Sequence, residues 1–479
     1  MEDTSSFNVI GLDLQENQQR GRCLISTVNR QPGDIIFKSK PFAFLLHPRL
    51  WGRKCNFCFE SRKAEDSATE KSLLRCTGCS LHHYCSQECQ RKDWVTGHKK
   101  QCKKLNKLAN ARVVEDVAVD VLLLGKSLWK MQSEESPLRN KVEENDGVTT
   151  LTPDSQNVDQ MASFQLPEHE AVINSALDLK LVPTNLNFDD VAALEGKFQC
   201  NNFGIMDSIL NVVGAGVYPY GALLNHSCAP NCALLYDPIT HEQVVRCIAP
   251  ISEGEEICHA FLDVASPTAF RKLKLETQYN FICTCIRCEE GLKVELENGE
   301  TMDMDLCMEA SIEGKPLAES SPDLQKMLQQ AKDLENLAQS EDDAHEEFQL
   351  LSSCLQMKEA CLHPENLDLY STRGQLLTAS LITGCLEVAI DQCKKLVNFL
   401  EKVYLHIPNS PMLGLQIYTL GNLYYNSKDY TNAISCLERS KDICTVFYGG
   451  KSEMAEGIQK LLQDSITGSI ATQITGQRR

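Results

Sequence analysis

The chain has 479 residues, of which 42% are hydrophobic and 23% charged, and a formal net charge of −18 at pH 7. That length is more than one compact core fills, so two or three domains are expected, with the composition of a soluble globular protein. The acidic balance argues against nucleic-acid binding over the whole surface and suits basic partners such as lysine-rich protein segments. Met1-Glu2-Asp3-Thr4-Ser5-Ser6 lacks the basic and apolar regions of a signal peptide, and no apolar run is long enough to span a bilayer. A soluble intracellular protein without a membrane partner is therefore expected.

Residues 8–50 read as short strands broken by turns, with Gly21-Arg22-Cys23-Leu24-Ile25 leading through Gln31-Pro32-Gly33-Asp34 into Ile35-Ile36-Phe37. A cysteine-rich segment follows. From Leu105 to Trp129 the pattern is helical, with Leu105, Leu108, Val117 and Val121 near one face. Residues 133–169 are polar and read as a long loop or a partly ordered connection. Asn187 and Asp190 mark the start of a short helix ending near Gly196. Strands and turns fill 199–262, before a helix at about 268–280 and a second cysteine cluster. Beyond residue 320 the chain turns helical to about residue 465, opening with Ser321 as a cap before Pro322 at the first helical position. There Ile417, Leu420-Gly421, Tyr424, Ala433 and Leu437 fit the small and large positions of a tetratricopeptide repeat, with an ordinary helical bundle as the plainer alternative.

The 23 cysteines fall partly into tight clusters, which without a secretory signal read as metal sites rather than a disulfide framework. The first cluster is Cys55-x2-Cys58, Cys76-x2-Cys79, Cys85-x3-Cys89 and His98-x3-Cys102: eight ligands, enough for two closed tetrahedral zinc sites. So few apolar residues separate them that the segment could hardly fold without metal. Arg53, Lys54, Arg91, Lys92, Lys99 and Lys100 make it locally basic, which reads as a solvated face or a surface for weak nucleic-acid contact. The second cluster, Cys283-x-Cys285-x2-Cys288, offers three thiolates and leaves one coordination position to a fourth ligand or to reactivity. Cys228 is a candidate for that position; spacing does not decide it.

The first cluster resembles the MYND zinc finger, including its Tyr84-Cys85 pair and terminal His-x3-Cys. That resemblance implies interleaved ligation, with Cys55, Cys58, Cys85 and Cys89 on one zinc and Cys76, Cys79, His98 and Cys102 on the other, and binding of proline-containing peptides. Gly221-Ala222-Leu223-Leu224-Asn225-His226-Ser227-Cys228-Ala229-Pro230-Asn231-Cys232 resembles the N-H-S-C-x-P-N signature of SET domains. Arg20-Gly21-Arg22 precedes it, and Gly254-Glu255-Glu256-Ile257 and the cysteine trio follow it, in the expected order. A SET domain split by a MYND finger and followed by helices is the layout of the SET–MYND (SMYD) protein-lysine methyltransferases.

The resemblance implies an α+β fold: a SET domain of small β-sheets with a knot-like topology over residues 8–50 and 105–282, and a MYND finger at 51–104. A post-SET zinc segment at 283–292 and an all-α, tetratricopeptide-like domain at 320–479 complete it. S-adenosylmethionine is implied as methyl donor, a protein lysine on histone or non-histone substrates as acceptor, and a cytoplasmic location with some nuclear presence. Arg20, Arg22, Asn201, Asn225 and His226 match cofactor-binding positions, and Phe281 matches the residue that stacks on adenine. Cys228 would join Cys283, Cys285 and Cys288 around a third zinc. Phe203 and Tyr279 match positions lining the lysine channel.

The chain also departs from the family pattern. Phe261 stands where a tyrosine normally carries the catalytic hydroxyl, and Cys23 where many relatives have glycine, close enough to crowd the cofactor. Losing one preorganised dipole costs ~10²–10³ in rate. Three readings follow: an enzyme slowed but active through Tyr279 and backbone carbonyls, an enzyme of altered product specificity, or a scaffold that binds partners without catalysis. His259 would share a strand face with Phe261, and a packed histidine is the plainer reading of it.

Overall fold

A computed structural model describes residues 10–17, 20–61, 72–110, 115–133, 141–145, 148–153, 155–159, 161, 169–295 and 299–476. The opening strands β1 (Leu12–Asn17) and β2 (Gly21–Ser26) form an antiparallel hairpin with Leu14 opposite Leu24. The expected turn leads into β3 (Ile35–Ser39): Asp34 Oδ2 accepts from the Gln31 amide at 2.8 Å, and Gly33 takes φ +100°, a conformation that glycine adopts without a Cβ penalty. A fourth strand, β4 (Ala43–Leu46), precedes the cysteine-rich segment.

That segment holds a two-residue pairing of β5 (Leu74–Arg75) with β6 (His83–Tyr84). A short helix follows, α1 (Gln87–Asp93), whose cap is Ser86; its hydroxyl accepts from the Cys89 amide at 3.2 Å. The next long helix, α2 (Glu115–Ser133), packs on β4. Leu105, Leu108, Val121 and Leu122 bury in the same core as Cys55, Cys76 and Tyr84, so the cysteine-rich segment shares its interior with α2.

The polar stretch 133–169 is not simply a loop. Its described residues include β7 (Lys141–Asn145) and β8 (Val148–Thr152), an antiparallel pair, and β8 also runs parallel to β3, with Thr150 beside Lys38 and Leu151 beside Ser39. Threonine is polar but β-branched and fits a pleated, half-buried surface, so composition alone concealed the strand. Two helices follow, α3 (Glu170–Asp178) and α4 (Phe188–Asn201). The second opens on a full Asn187/Asp190 capping box, but it runs past Gly196 to Asn201. A mid-helix glycine costs only about 1 kcal/mol, and Val191, Leu194 and Phe198 keep one buried face going across it.

Strands β9 (Asn202–Met206) and β10 (Val212–Val217) join β4 in a three-stranded sheet. Next come β11 (Asn225–His226), β12 (Cys232–Tyr236), β13 (Gln243–Cys247) and β14 (Cys258–His259). The five-stranded sheet has the order β12-β13-β3-β8-β7, while β11 and β14 pair in parallel. Helix α5 (Thr268–Tyr279) and the short α6 (Ile286–Glu290) complete this half.

The tail comprises α7 (Pro322–Gln339), α8 (Ala344–Cys361), α9 (Leu367–Thr383), α10 (Leu386–Val403), α11 (Pro411–Asn426), α12 (Tyr430–Tyr448) and α13 (Glu453–Gly476), each packed on the next. The helical run reaches Gly476 rather than about 465. Gly468 does not end it; a Cβ there would stand 2.5 Å from the Tyr430 ring, so this glycine serves a close approach. Gly421 likewise lies where a Cβ would meet Leu437 at 2.9 Å. No described helix is long and apolar enough to cross a membrane.

His241, in the turn between β12 and β13, clasps the cysteine-rich segment. Its Nε2 lies 2.8 Å from the Phe57 carbonyl, and its ring sits 4.0 Å from that of Phe59. Burial lowers its pKa from 6.5 to about 4. A group that binds its proton less tightly when folded is neutral in the native state while the unfolded chain takes up the proton. Its contribution is therefore full above about pH 6.5 and declines as pH falls toward about 4. Roughly 2 kcal/mol should be lost by pH 5 from this group. Urea unfolding of the chain and of His241→Gln at pH 7 and pH 5 checks this. The variant should lose less between the two, and equal losses would remove His241 as the cause.

Candidate active site and metal centres

Three groups of four potential ligands converge: Cys55, Cys58, Cys85 and Cys89; Cys76, Cys79, His98 and Cys102; and Cys228, Cys283, Cys285 and Cys288. Within each group the ligand atoms lie within 4.8 Å of one another. Sulfur separations are 3.5 Å for Cys58–Cys85 and Cys85–Cys89, 3.8 Å for Cys76–Cys102 and 3.5 Å for Cys228–Cys288. His98 Nε2 lies 3.4 Å from Cys76 Sγ. Bonded sulfurs would stand about 2.05 Å apart, whereas a zinc–sulfur bond of about 2.3 Å gives a tetrahedron an edge of about 3.8 Å. The geometry and donor chemistry fit zinc at all three places.

The third group has a distinctive charge environment. A zinc ion with four thiolates carries two net negative charges, and two arginines are buried beside it. Arg271 Nε lies 3.3 Å from Cys228 Sγ and its Nη2 4.0 Å from Cys288 Sγ, while Nη1 donates to the Ser266 carbonyl. Arg287 is 1% exposed, and none of its guanidinium nitrogens has a hydrogen-bond partner among the described residues. Burial and the neighbouring Arg271 push its pKa down to about 10, against the pull of Asp305 and Cys228. Uncompensated, two buried cations here would be costly; the thiolate cluster supplies the opposite charge.

From Cys228 the site runs directly into the Asn225-His226 motif. His226 Nε2 lies 3.2 Å from Cys228 Sγ, and its Nδ1 accepts from the Phe261 amide at 2.9 Å. Both ring nitrogens are thus engaged, which leaves the backbone and ring face of His226 for any ligand. Asn225 Nδ2 donates to the Arg22 carbonyl at 3.0 Å and to Glu256 Oε1 at 2.7 Å. Arg20 pairs with Glu256 at 2.6 Å and donates to the His226 carbonyl at 2.9 Å. Glu256 therefore joins Arg20 to Asn225, a role not apparent from its place in Gly254-Glu255-Glu256. Asn231 is a second residue of this kind: its Oδ1 accepts from the Cys258 amide and its Nδ2 donates to the Glu256 carbonyl, fixing β14 against the motif.

Asn201 ends α4, with Nδ2 donating to the Lys197 carbonyl at 2.7 Å, one residue before the strand that carries Phe203. Cys23 turns its thiol back toward β1, 3.6 Å from the Gln15 carbonyl.

An aromatic cluster stands over His226. The Phe261 ring lies 5.3 Å from His226, 5.0 Å from Tyr279 and 6.3 Å from Phe281, and Phe281 lies 6.1 Å from His226. Phe203 meets it through His259, whose ring is 5.9 Å from Phe203 and 4.9 Å from Phe261. Burial raises the Tyr279 phenol to about 12, so it is a neutral hydrogen-bond donor at physiological pH. Arg20, Asn225, His226, Phe261, Tyr279 and Phe281, with Phe203 through His259, thus form one region joined to the third thiolate group, whereas Asn201 bonds back into α4 and the Cys23 thiol faces β1.

The MYND finger family matches residues 55–102. Over most of its length the chain is similar to proteins named as histone-lysine N-methyltransferases. It is 24% identical over 476 residues to ASHR1 of Arabidopsis thaliana, covering 95% of each chain. It is 27% identical to Smyd1 of Mus musculus, covering 86% of this chain and 80% of that one. With SMYD3 of the same species it shares 26% identity, over 93% and 95% of the two chains. A MYND finger at residues 55–102, together with a similarity to SMYD lysine methyltransferases that runs over most of the chain, groups this protein with the SMYD family.

Proposed function

We propose that this protein is an S-adenosylmethionine-dependent protein-lysine N-methyltransferase. The observation that carries the reading is the direct link from the Phe261–Tyr279–Phe281 aromatic cluster, through both nitrogens of His226, to the Cys228 thiolate group. The methyltransferase names of relatives aligned over most of the chain support it, as does the parallel pairing of β11 with β14, which suits a SET-type knot. The helix pair α11–α12 suits a tetratricopeptide-like tail, and the exposed Trp94 and Val95 suit a peptide-binding finger.

The residues present fit the donor. Arg20 and Arg22 would meet its carboxylate end, Asn225 and His226 would grip its amino-acid and adenine portions with Asn201 as a further contact, and the partly buried ring of Phe281 would offer adenine a stacking face. A Cβ at Gly21, between the two arginines, would meet nothing within 4 Å, so the backbone there is open to a ligand. When bound, the cofactor supplies an electrophilic methyl group on a sulfonium. The side chains of this protein align the acceptor. Phe203, Phe261 and Tyr279 form an apolar passage in which a lysine amine loses water, and the neutral Tyr279 hydroxyl presents a dipole. A neutral lysine amine held there would accept that methyl group, and its extra proton would pass to solvent.

Phe261 favours a second reading, in which the finger and tail bind partners and catalysis is weak or lost. Titration with S-adenosylmethionine beside a methyl-transfer assay on histone-tail and lysine-peptide panels separates the two. Binding with turnover is expected; binding without turnover would leave the scaffold reading. Phe261→Tyr restores a hydroxyl and should raise the rate by up to ~10². No gain would remove the missing hydroxyl as the limit.

A further inference from the structure

His259 ends β14 between two rings of the proposed lysine passage, Phe203 and Phe261. Its Nδ1 lies 3.1 Å from the Ala260 carbonyl oxygen. A carbonyl can only accept, so Nδ1 carries the proton and Nε2 the lone pair. The side chain is 5% exposed, and Nε2 is buried with no hydrogen-bond partner among the described residues. A buried acceptor left unpaired costs about 1–3 kcal/mol. The polar groups nearest in this cluster do not relieve it: the nitrogens of His226 are taken by the Phe261 amide and Cys228 Sγ.

We propose that His259 Nε2 accepts a hydrogen bond from the ε-amine of the substrate lysine and orients its lone pair, beside the position where Phe261 lacks a hydroxyl. This assignment rests on the methyltransferase reading above. Burial, reinforced by His226, lowers the imidazole pKa to about 3. His259 is then too weak a base to hold the lysine proton at neutral pH, and it acts by accepting a hydrogen bond rather than as a general base. The imidazole lies between the partly buried rings of Phe203 and Phe261, one of which would turn aside for the amine to reach Nε2.

The chemistry distinguishes substrates. A primary amine has two N–H bonds, a monomethylated amine one, and a dimethylated amine none, so the acceptor assists the first two transfers only. The experiment compares the full chain with His259→Leu and His259→Gln on peptides bearing unmodified, monomethyl or dimethyl lysine, with S-adenosylmethionine affinity measured for each. His259→Leu should lower kcat on unmodified lysine roughly 10- to 100-fold, with KM and cofactor affinity little changed. It should raise the ratio of dimethyl-lysine to unmodified-lysine rates, and His259→Gln, which keeps an acceptor oxygen, should recover part of the loss. An unchanged kcat in His259→Leu, or a Gln variant no better than Leu, would overturn the assignment while leaving an active wild type as support for the methyltransferase. A wild type that binds cofactor and methylates no peptide would overturn both.

Discussion

Lys126→Met is expected to destabilise the transition that unfolds the finger by about 3–5 kcal/mol, the usual consequence of removing one partner from a buried ion pair. Asp93, at the end of α1, is 1% exposed, and Lys126 of α2 reaches it with Nζ 3.0 Å from Oδ1. The same ammonium donates to the Phe44 carbonyl of β4 at 3.1 Å. Tyr84 donates to Asp93 Oδ2 at 2.8 Å, and His82 Nδ1 lies 3.2 Å from it. Burial alone would raise the Asp93 pKa, but Lys126 and His82 more than offset it and hold the carboxyl well below its ordinary range. With Lys126 gone, a carboxylate stays buried beside the His98 ligand group without its cation. Urea unfolding followed by finger tryptophan fluorescence, with bound zinc counted, tests this. The double variant Lys126→Met/Asp93→Asn removes both charges and should lose less than the single one. A single variant within about 1 kcal/mol of wild type would show that the latch is not an energetic bond between finger and body.

Cys228→Ser is expected to lower the zinc content from three ions per chain to two and to weaken S-adenosylmethionine binding at least tenfold. Arg271 would then lose the Cys228 thiolate it faces and keep Asp305 at 3.8 Å, so less negative charge would offset the two buried arginines and the region around α5 and α6 should loosen as well. Cys228, Cys283 and Cys288 share a hydrophobic core with Leu396, Phe399 and Leu400 of α10, so the disturbance should reach the helical tail. Metal analysis, calorimetric cofactor titration and hydrogen exchange of α10 read the three consequences. A wild-type count near two, or a variant that keeps three, would sink the third site; intact cofactor binding with the ion lost would separate that site from the cofactor pocket.

The finger is tied to the body by a buried ion pair at Lys126 and a histidine clasp at His241, and the proposed cofactor pocket is tied to the tail through a thiolate group. The finger shares one hydrophobic core with α2, and the Cys228 group shares another with α10.

Local patterns determined much of this protein. Short cysteine spacings identified the finger ligands because a tight turn brings neighbouring thiolates to one metal. The Asn187/Asp190 box and Ser321-Pro322 marked helix starts because caps act within one turn. Phe261 was visible as a departure because its register to Asp263 and Tyr279 is short and gapless. Other features depended on chain segments distant in sequence. The strand hidden in 148–152 gains its place only by pairing with β3, and the extension of α4 past Gly196 follows from which face is buried. The Lys126–Asp93 latch, the two arginines beside the third thiolate group and the unpartnered nitrogen of His259 carry no sequence signature at all. Each depends on burial, which raises the energetic weight of a charge or a lone pair only after folding has removed water from around it. Sequence alone determined the finger ligands and motif residues as types and spacings; the tertiary structure decided which of them converge on one place, Cys228 among them, and which of their polar atoms are already engaged.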